Sequence, residues 1–219
     1  MISWRVMVRF VAIVLLLLGT PLSAGASTGP PGSTSAVSVQ DASLDLSGSS
    51  SLHRYSTKAH GLQAVVGIDG TRAAASAQPL DLEALIRGHF IKAFELVVPV
   101  DKLSSGERGL DANMHKALKG DLYREIRFSM DSYDVLPASG AGVVLTIVLH
   151  GRLSLAGVER RIDISAAGVR VRDALRFSGS KDLSMADYRI KPPTLMLGVI
   201  KTADIVTVKF EITLRSVSN

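Results

Sequence analysis

The side chains that could carry out chemistry in this 219-residue chain are five histidines, several aspartates and many serines. The histidines are His53, His60, His89, His115 and His150. No two of them stand four residues apart with a glutamate beside one, the helical arrangement that holds zinc in metalloproteases. We therefore expect no metal site among them. His150 falls on the polar side of its strand, and His115 lies in a short helix.

The serines and aspartates also lack the spacing of a catalytic group. We find no Gly-x-Ser-x-Gly elbow between a predicted strand and a predicted helix, and no glycine-rich loop that would hold a phosphate. Asp131 and Asp134 are three residues apart on a predicted strand, which would place them on opposite faces. The sequence therefore predicts a protein that is not an enzyme, with no catalytic residue, no cofactor and no metal.

Composition narrows the classes of partner. The chain has no cysteine, which excludes disulfides, thiolate metal sites and a lipid-modified cysteine. Aromatic residues make up 5% of the chain, too few for base-stacking platforms. The net charge is +5, and it falls to +3 (5 − 2) if a leader carrying Arg5 and Arg9 is removed. A charge this small does not indicate nucleic-acid binding.

The N-terminal residues indicate export. Arg5 and Arg9 precede the apolar stretch Phe10–Leu18, and small residues lead to Ala24-Gly25-Ala26. This order is typical of a secretory signal peptide, here residues 1–26, with an uncleaved anchor as the alternative. We expect a periplasmic or secreted protein with no integral membrane span after the signal is removed, because no later segment has spanning length. Residues 27–43 are rich in Ser, Thr, Gly and Pro and are predicted to form a flexible leader.

The remaining residues, 44–219, are predicted to form one all-β domain. In Val143–Leu155 and again in Ile205–Val217, apolar residues alternate with mostly polar ones, which is typical of a strand with one buried face. Short turns such as Asp69-Gly70 and Ala156-Gly157 separate neighbouring strands and favour antiparallel pairing. The other strand candidates are Leu44–Leu46, Ser51–Ile68, Phe90–Val100, Glu125–Leu136, Glu159–Val171 and Leu175–Leu183.

Strands of this kind bury their apolar faces either against a second sheet or by curling one sheet into a closed barrel. One short helix, about residues 110–119, would cap the sheet or barrel or insert between strands, since Leu110, Met114 and Leu118 fall on one face. This helix could be a plug at one end or a gate for a ligand. A second piece, Leu82–Arg87, is at most a turn or two long.

Four stretches, taken in order, resemble the YceI-like family of exported, lipocalin-like barrels. They are Gly48–Tyr55, Val98–Met130, Gly151–Val158 and Leu183–Ile190. Within the second, Leu110–Leu118 is similar to the family's helix and Leu122–Phe128 to the strand that follows it. Arg54 and Arg124 depart from the residues common there. The resemblance implies an all-β fold, an antiparallel, lipocalin-like β-barrel of about eight strands that binds an isoprenoid or another lipid. Because His53 lies in the first of these stretches, it is the histidine for which a functional role is least improbable.

Alternation predicts which side chains face the barrel interior. An eight-stranded barrel is either filled by its own side chains or holds one small ligand. The predicted ligand-lining residues are Phe94, Leu96, Val98, Met114, Leu118, Phe128, Met130, Leu145, Ile147, Leu149, Ile162, Ile164, Phe210 and Ile212. The leading hypothesis is an extended isoprenoid or fatty chain in this interior, and the alternative is a packed barrel that acts as an interaction protein of the cell envelope.

A cluster of basic residues follows position 150. It comprises Arg152, Arg160, Arg161, Arg170, Arg172, Arg176 and Lys181, and such charges usually form a solvated face. Arg170 and Arg172 continue the inward alternation of Ile162 and Ile164, so they are the candidates for holding an anionic head group at a barrel rim. A homodimer is left open.

Overall fold

A computed structural model describes residues 37–49, 54–69, 81–192, 194–195 and 200–216. The predicted signal peptide, most of the predicted leader and His53 lie outside the described residues. Where residues 27–43 are described, they correct the prediction, because Val37–Ser43 form the start of a paired strand and not a flexible segment. The register of this strand shifts between Val39 and Asp41. Because this bulge interrupts the alternation of side chains, the segment does not show the regular period of two by which a strand is recognised in a sequence.

The strands form one antiparallel ten-stranded sheet and one small two-stranded sheet. In the order β3-β4-β6-β7-β8-β9-β12-β1-β2-β5, the large sheet contains β3 (Gln63–Ile68), β4 (Ile91–Pro99), β6 (Glu125–Leu136), β7 (Val143–Leu155), β8 (Val158–Val171), β9 (Ala174–Ser184), β12 (Ile205–Ser216), β1 (Val37–Ser49), β2 (Arg54–Ala59) and β5 (Leu103–Ser104). The small sheet pairs β10 (Thr194–Leu195) with β11 (Ile200–Lys201). The predicted all-β, lipocalin-like fold is confirmed.

The large sheet curls on itself. β3 is first in the order and β1 is eighth, yet the two strands lie in contact. The eight strands from β3 to β1 therefore form the curled wall, and β2 and β5 extend it. The predicted strand Ser51–Ile68 is in fact two, β2 and β3, because the chain turns at Gly61, whose φ of +64° suits a residue without a side chain.

Two short helices lie between the strands. Helix α1, Leu82–Arg87, is capped by Asp81, whose carboxylate accepts a hydrogen bond from the Glu83 amide, and it buries Leu82, Leu85 and Ile86. Helix α2, Arg108–Ala117, starts and ends two residues before the predicted 110–119. It closes early because Lys119, and not Gly120, adopts the left-handed conformation after its last turn. Neither described helix is long and apolar enough to cross a membrane.

The interior of the curled sheet contains two apolar clusters. The first packs α1 against Leu145 and Leu175, both with 0% exposure, and the buried Tyr133 hydroxyl donates to the Ile86 carbonyl at 2.9 Å. The second contains Phe128, Leu153 and Tyr188, with α2 beside it. The two ends of the barrel therefore have different covers, α1 over one and α2 over the other.

Candidate functional site

The second cluster surrounds a cavity of about 250 Å³. Side chains from β1, β2, β4, β6, β7, β8, β9, β12 and α2 line it, and most of them are apolar. A second, smaller cavity of about 60 Å³ lies toward α1 and is lined by Ile86, Tyr133 and Phe177 among others. The end under α1 is thus largely filled by its own side chains, whereas the end under α2 is not.

The structure brings most of the predicted lining residues together around the larger cavity. Eleven of them line it: Phe94, Leu96, Val98, Met114, Leu118, Phe128, Leu149, Ile162, Ile164, Phe210 and Ile212. Met130 and Ile147 also face inward, but they line the smaller cavity, and Leu145 is fully packed in the first cluster. Alternation predicted the face of each strand residue in this set correctly, and whether these residues bind a ligand stays a prediction.

Four residues lie between the two cavities and contribute to the lining of both. We call Phe94, Leu149, Phe210 and Ile212 the barrier residues. Phe210 pairs with Gly179 on the neighbouring strand, and a Cβ built on Gly179 would lie 2.6 Å from the Phe210 ring. Glycine is therefore required at position 179 for the ring to lie against the strand.

Helix α2 covers the larger cavity with its apolar face. Leu110 and Met114, together with Leu118 just after the end of the helix, are half-buried and face the cavity. The start of the helix is fastened to β5 and the loop after it: the Asp111 carboxylate accepts hydrogen bonds from the Ser104 hydroxyl (2.9 Å) and from the Ser105 amide and hydroxyl (both 2.7 Å). The Ser105 amide and hydroxyl, followed by Ser104, hold the pKa of Asp111 below its usual value.

Sequence reasoning missed one charged residue of the site. Lys181 is on the inward side of β9, and its cross-strand partner is Val208 of β12. The partner of Val208 on β1 is Leu46, and the partner of Leu46 on β2 is Thr57. Directly opposed residues share a face of the sheet, and all four line the larger cavity. We call them the lysine row. The sequence did contain a signal for the position of this lysine, since Leu175, Phe177, Gly179 and Lys181 are every second residue of β9 and therefore share its inward face.

The wall is incompletely paired beside Lys181. The β8–β9 ladder runs from Val171–Ala174 to Ala167–Ser178, whereas β8 begins already at Val158 and β9 continues to Ser184. We call this region, where the two strands extend past their last pair, the β8–β9 split. A 3₁₀ turn, Ala186–Tyr188, lies beside it, and Arg160 Nε donates to the Asp187 carbonyl at 3.1 Å.

The predicted head-group residues are not at this cavity. Arg170 Nη2 lies 2.8 Å from Glu83 Oε2 and 3.5 Å from Asp81 Oδ1, so it binds the start of α1 at the opposite end of the barrel. Together with Arg87, it keeps the pKa of the Glu83 carboxyl below its usual value. Arg172 is exposed in the β8–β9 turn with a φ of +57°. Neither residue lines the larger cavity, so neither is placed to hold the head group of a ligand bound there.

The outer face carries charge pairs across strands. The ring nitrogens of His150 lie 2.7 Å from Asp163 Oδ1 and 3.1 Å from Asp134 Oδ2, and these carboxylates raise the pKa of His150. Asp131 pairs with Arg152 on the same face, so Asp131 and Asp134 do not lie on opposite faces as predicted. The β6 register shifts between Met130 and Ser132, and this bulge changes the alternation.

The charged groups of this face do not assemble a metal site. Among the described residues, no three His, Asp or Glu side chains come together in a way that could hold a metal ion.

Comparisons with known proteins support the fold described above. The family described as "YceI-like domain" matches residues 41–214. BcnA of Burkholderia cenocepacia has a similar structure (TM-score 0.57, 12% identity, covering 78% of this chain and 95% of that chain). So do a polyisoprenoid binding domain from Saccharophagus degradans (0.55, 14%, 83% and 99%) and a Campylobacter jejuni YceI protein (0.51, 16%, 74% and 85%). No curated protein sequence matches the chain.

Proposed function

The chain belongs to the YceI-like domain family, and from this premise we propose that it binds an extended hydrophobic ligand, an isoprenoid or fatty chain, in the cavity under α2. We further propose that it carries, stores or sequesters this ligand outside the cytoplasm, in the periplasm or after secretion. The observation that carries the proposal is the cavity of about 250 Å³ with an almost entirely apolar lining.

The size of the cavity supports a guest and not only loose packing. Side chains at the surface of a void lose their dispersion contacts on one side, so a void of this size is unfavourable unless it is filled. An engineered apolar cavity of about 150 Å³ in another protein binds benzene. By proportion, the cavity of about 250 Å³ has room for about ten carbon atoms, roughly two isoprene units.

The energy available from such a guest is sufficient for binding. About ten buried carbons at about 0.8 kcal/mol each give a gross gain of about 8 kcal/mol. The ordering of a flexible chain reduces this gain. A ligand of about ten carbons should therefore bind with a Kd no tighter than about 1 µM. A longer chain would gain more only if it also extended outside the cavity or past the barrier residues.

The similarity to a polyisoprenoid binding domain supports the chemical class of the ligand. That similarity rests on 14% identity, and what that domain binds enters here only as part of the proposal. The lining supports a ligand held by exclusion of water, since an apolar surface offers few directional contacts.

Mass spectrometry of the intact protein tests the proposal. We expect protein purified from its own host, under non-denaturing conditions, to carry an adduct that organic solvent releases as a lipid. The delipidated protein should then bind a fluorescent fatty-chain probe, which the recovered lipid displaces. A ligand-free mass together with no probe binding would refute the proposal and favour the packed-barrel alternative.

A further inference from the structure

Lys181 is unusual among the cationic residues of this chain. Of the lysines and arginines whose burial is described, only Lys181 and Arg176 are half-buried, and the others are exposed. Arg176 Nε lies 3.5 Å from Glu211 Oε1, whereas the Lys181 ammonium has no carboxylate partner in the described part of the chain. Among the described residues, Lys181 is also the only charged one that lines the larger cavity.

An unpaired ammonium against an apolar wall is unfavourable, because the charge loses hydration without gaining a counter-ion. The β8–β9 split reduces this penalty, since a lysine can lay its hydrocarbon stem along an apolar surface and turn its charge toward water. A negatively charged group at the split would pair with the ammonium while the rest of its molecule lay inside the cavity.

We infer that Lys181 at the β8–β9 split binds the anionic head group of the ligand, a carboxylate or a phosphate, while the chain occupies the cavity under α2. This inference rests on the proposed function. Thr57 of the lysine row, Tyr55 and Asn113 line the same cavity and provide hydroxyl and amide groups near an otherwise apolar surface. The basic residue at the opposite end, Arg170, already binds Glu83.

Three probes with the same twelve-carbon chain test the inference: dodecanoate, dodecyl phosphate and 1-dodecanol. Their affinities are measured on the delipidated protein by displacement of a neutral fluorescent probe. We compare the wild type with Lys181→Gln and with a matched control, Lys209→Gln, which removes an exposed lysine from the outer face of the neighbouring strand β12. If Lys181→Gln folds poorly, Lys181→Met keeps the length and apolar stem and supplies the same comparison.

Charge-assisted hydrogen bonds are strong enough to predict a clear selective effect. We expect Lys181→Gln to weaken at least one of the two anionic probes by about ten- to a hundredfold and to change 1-dodecanol by less than about twofold. Lys209→Gln should change none of the three. Loss of dodecanoate alone, or of dodecyl phosphate alone, would support the inference and identify the head group.

An equal loss for all three probes, or no loss for any of them, would overturn the role of Lys181 and leave the proposed function standing. A wild-type protein that binds none of the three would refute the proposed function itself. The neutral alcohol therefore separates the two failures.

Discussion

Replacing Phe210 by alanine should lengthen the chain that the protein accommodates, because Phe210 is one of the barrier residues between the two cavities. The larger cavity of about 250 Å³ holds about ten carbons by the proportion used above. The smaller one, about 60 Å³, adds room for about two more, and removal of the phenyl ring adds about six. The joined cavity should therefore hold about eighteen carbons.

The assay is the dependence of affinity on chain length in a series of neutral fatty alcohols, which does not depend on Lys181. Each enclosed methylene contributes about 0.8 kcal/mol, so affinity should rise about fourfold per carbon until the cavity is full. We expect the wild-type curve to level off near about ten carbons and the Phe210→Ala curve near about eighteen.

A matched control is Phe177→Ala, which removes the same ring from a residue that lines only the smaller cavity. It should leave the length limit unchanged, since the barrier residues still separate the cavities. Large-to-small changes of aromatic residues in cores cost about 3–5 kcal/mol, so folding of each variant is checked by circular dichroism, with leucine as the milder replacement. An unchanged length limit in folded Phe210→Ala would refute the reasoning.

Three further predictions concern the wall of the larger cavity, helix α2 and the outer face of the sheet. Ile164→Phe should fill part of the cavity and weaken probe binding at least about tenfold, with the thermal midpoint retained. Ser165→Phe, on the outer face, should not affect probe binding, and equal effects of the two substitutions would contradict the assigned faces. Asp111→Asn should raise amide hydrogen exchange in α2. Because the folded-state pKa of Asp111 is lowered, its stabilising effect is present above its unfolded pKa and is lost as pH falls through the folded pKa. The protection factors of the wild-type α2 amides, which correct for the intrinsic pH dependence of exchange, should therefore fall at low pH, while those of the variant change less. Asp163→Asn should lower the pKa of His150 in an NMR titration, and an unaltered titration would exclude the pairing. Since the pKa of His150 is raised in the folded protein, the stabilising effect of its pairing with Asp163 is present below the unfolded pKa and is lost as pH rises through the folded pKa.

The all-β class was predictable because long alternating strands must bury their apolar faces, either against a second sheet or by curling, and the resemblance to the YceI-like family favoured the curled sheet. Alternation in β7 and β12 identified both the strands and the inward residues. It failed at bulges: the register shift after Val39 made the start of β1 resemble a leader, and the shift at Asp131 placed that residue on the wrong face. One extra residue reverses the side of every position that follows, and the sequence does not mark where it occurs.

The site was predictable only in part, since alternation gives the face of a residue but not its depth along the barrel. Leu145, Met130 and Ile147 face inward as predicted, yet they pack under α1 and do not line the larger cavity. Lys181 was grouped with solvated charges because a charged side chain on an apolar face is rare. Only the pairing of four strands shows that it belongs to the lysine row.

The two ends of the barrel are unequally filled, so one end can stabilise the fold while the other accommodates a ligand. The end under α1, with Leu145, Leu175 and Tyr133 tightly packed, can hold the protein folded whether or not a guest is present. The end under α2 is then free to vary in shape. Substitutions there should change which ligand the cavity accepts with little loss of folding stability. The same fold could therefore accommodate different ligands while its packed end stays unchanged.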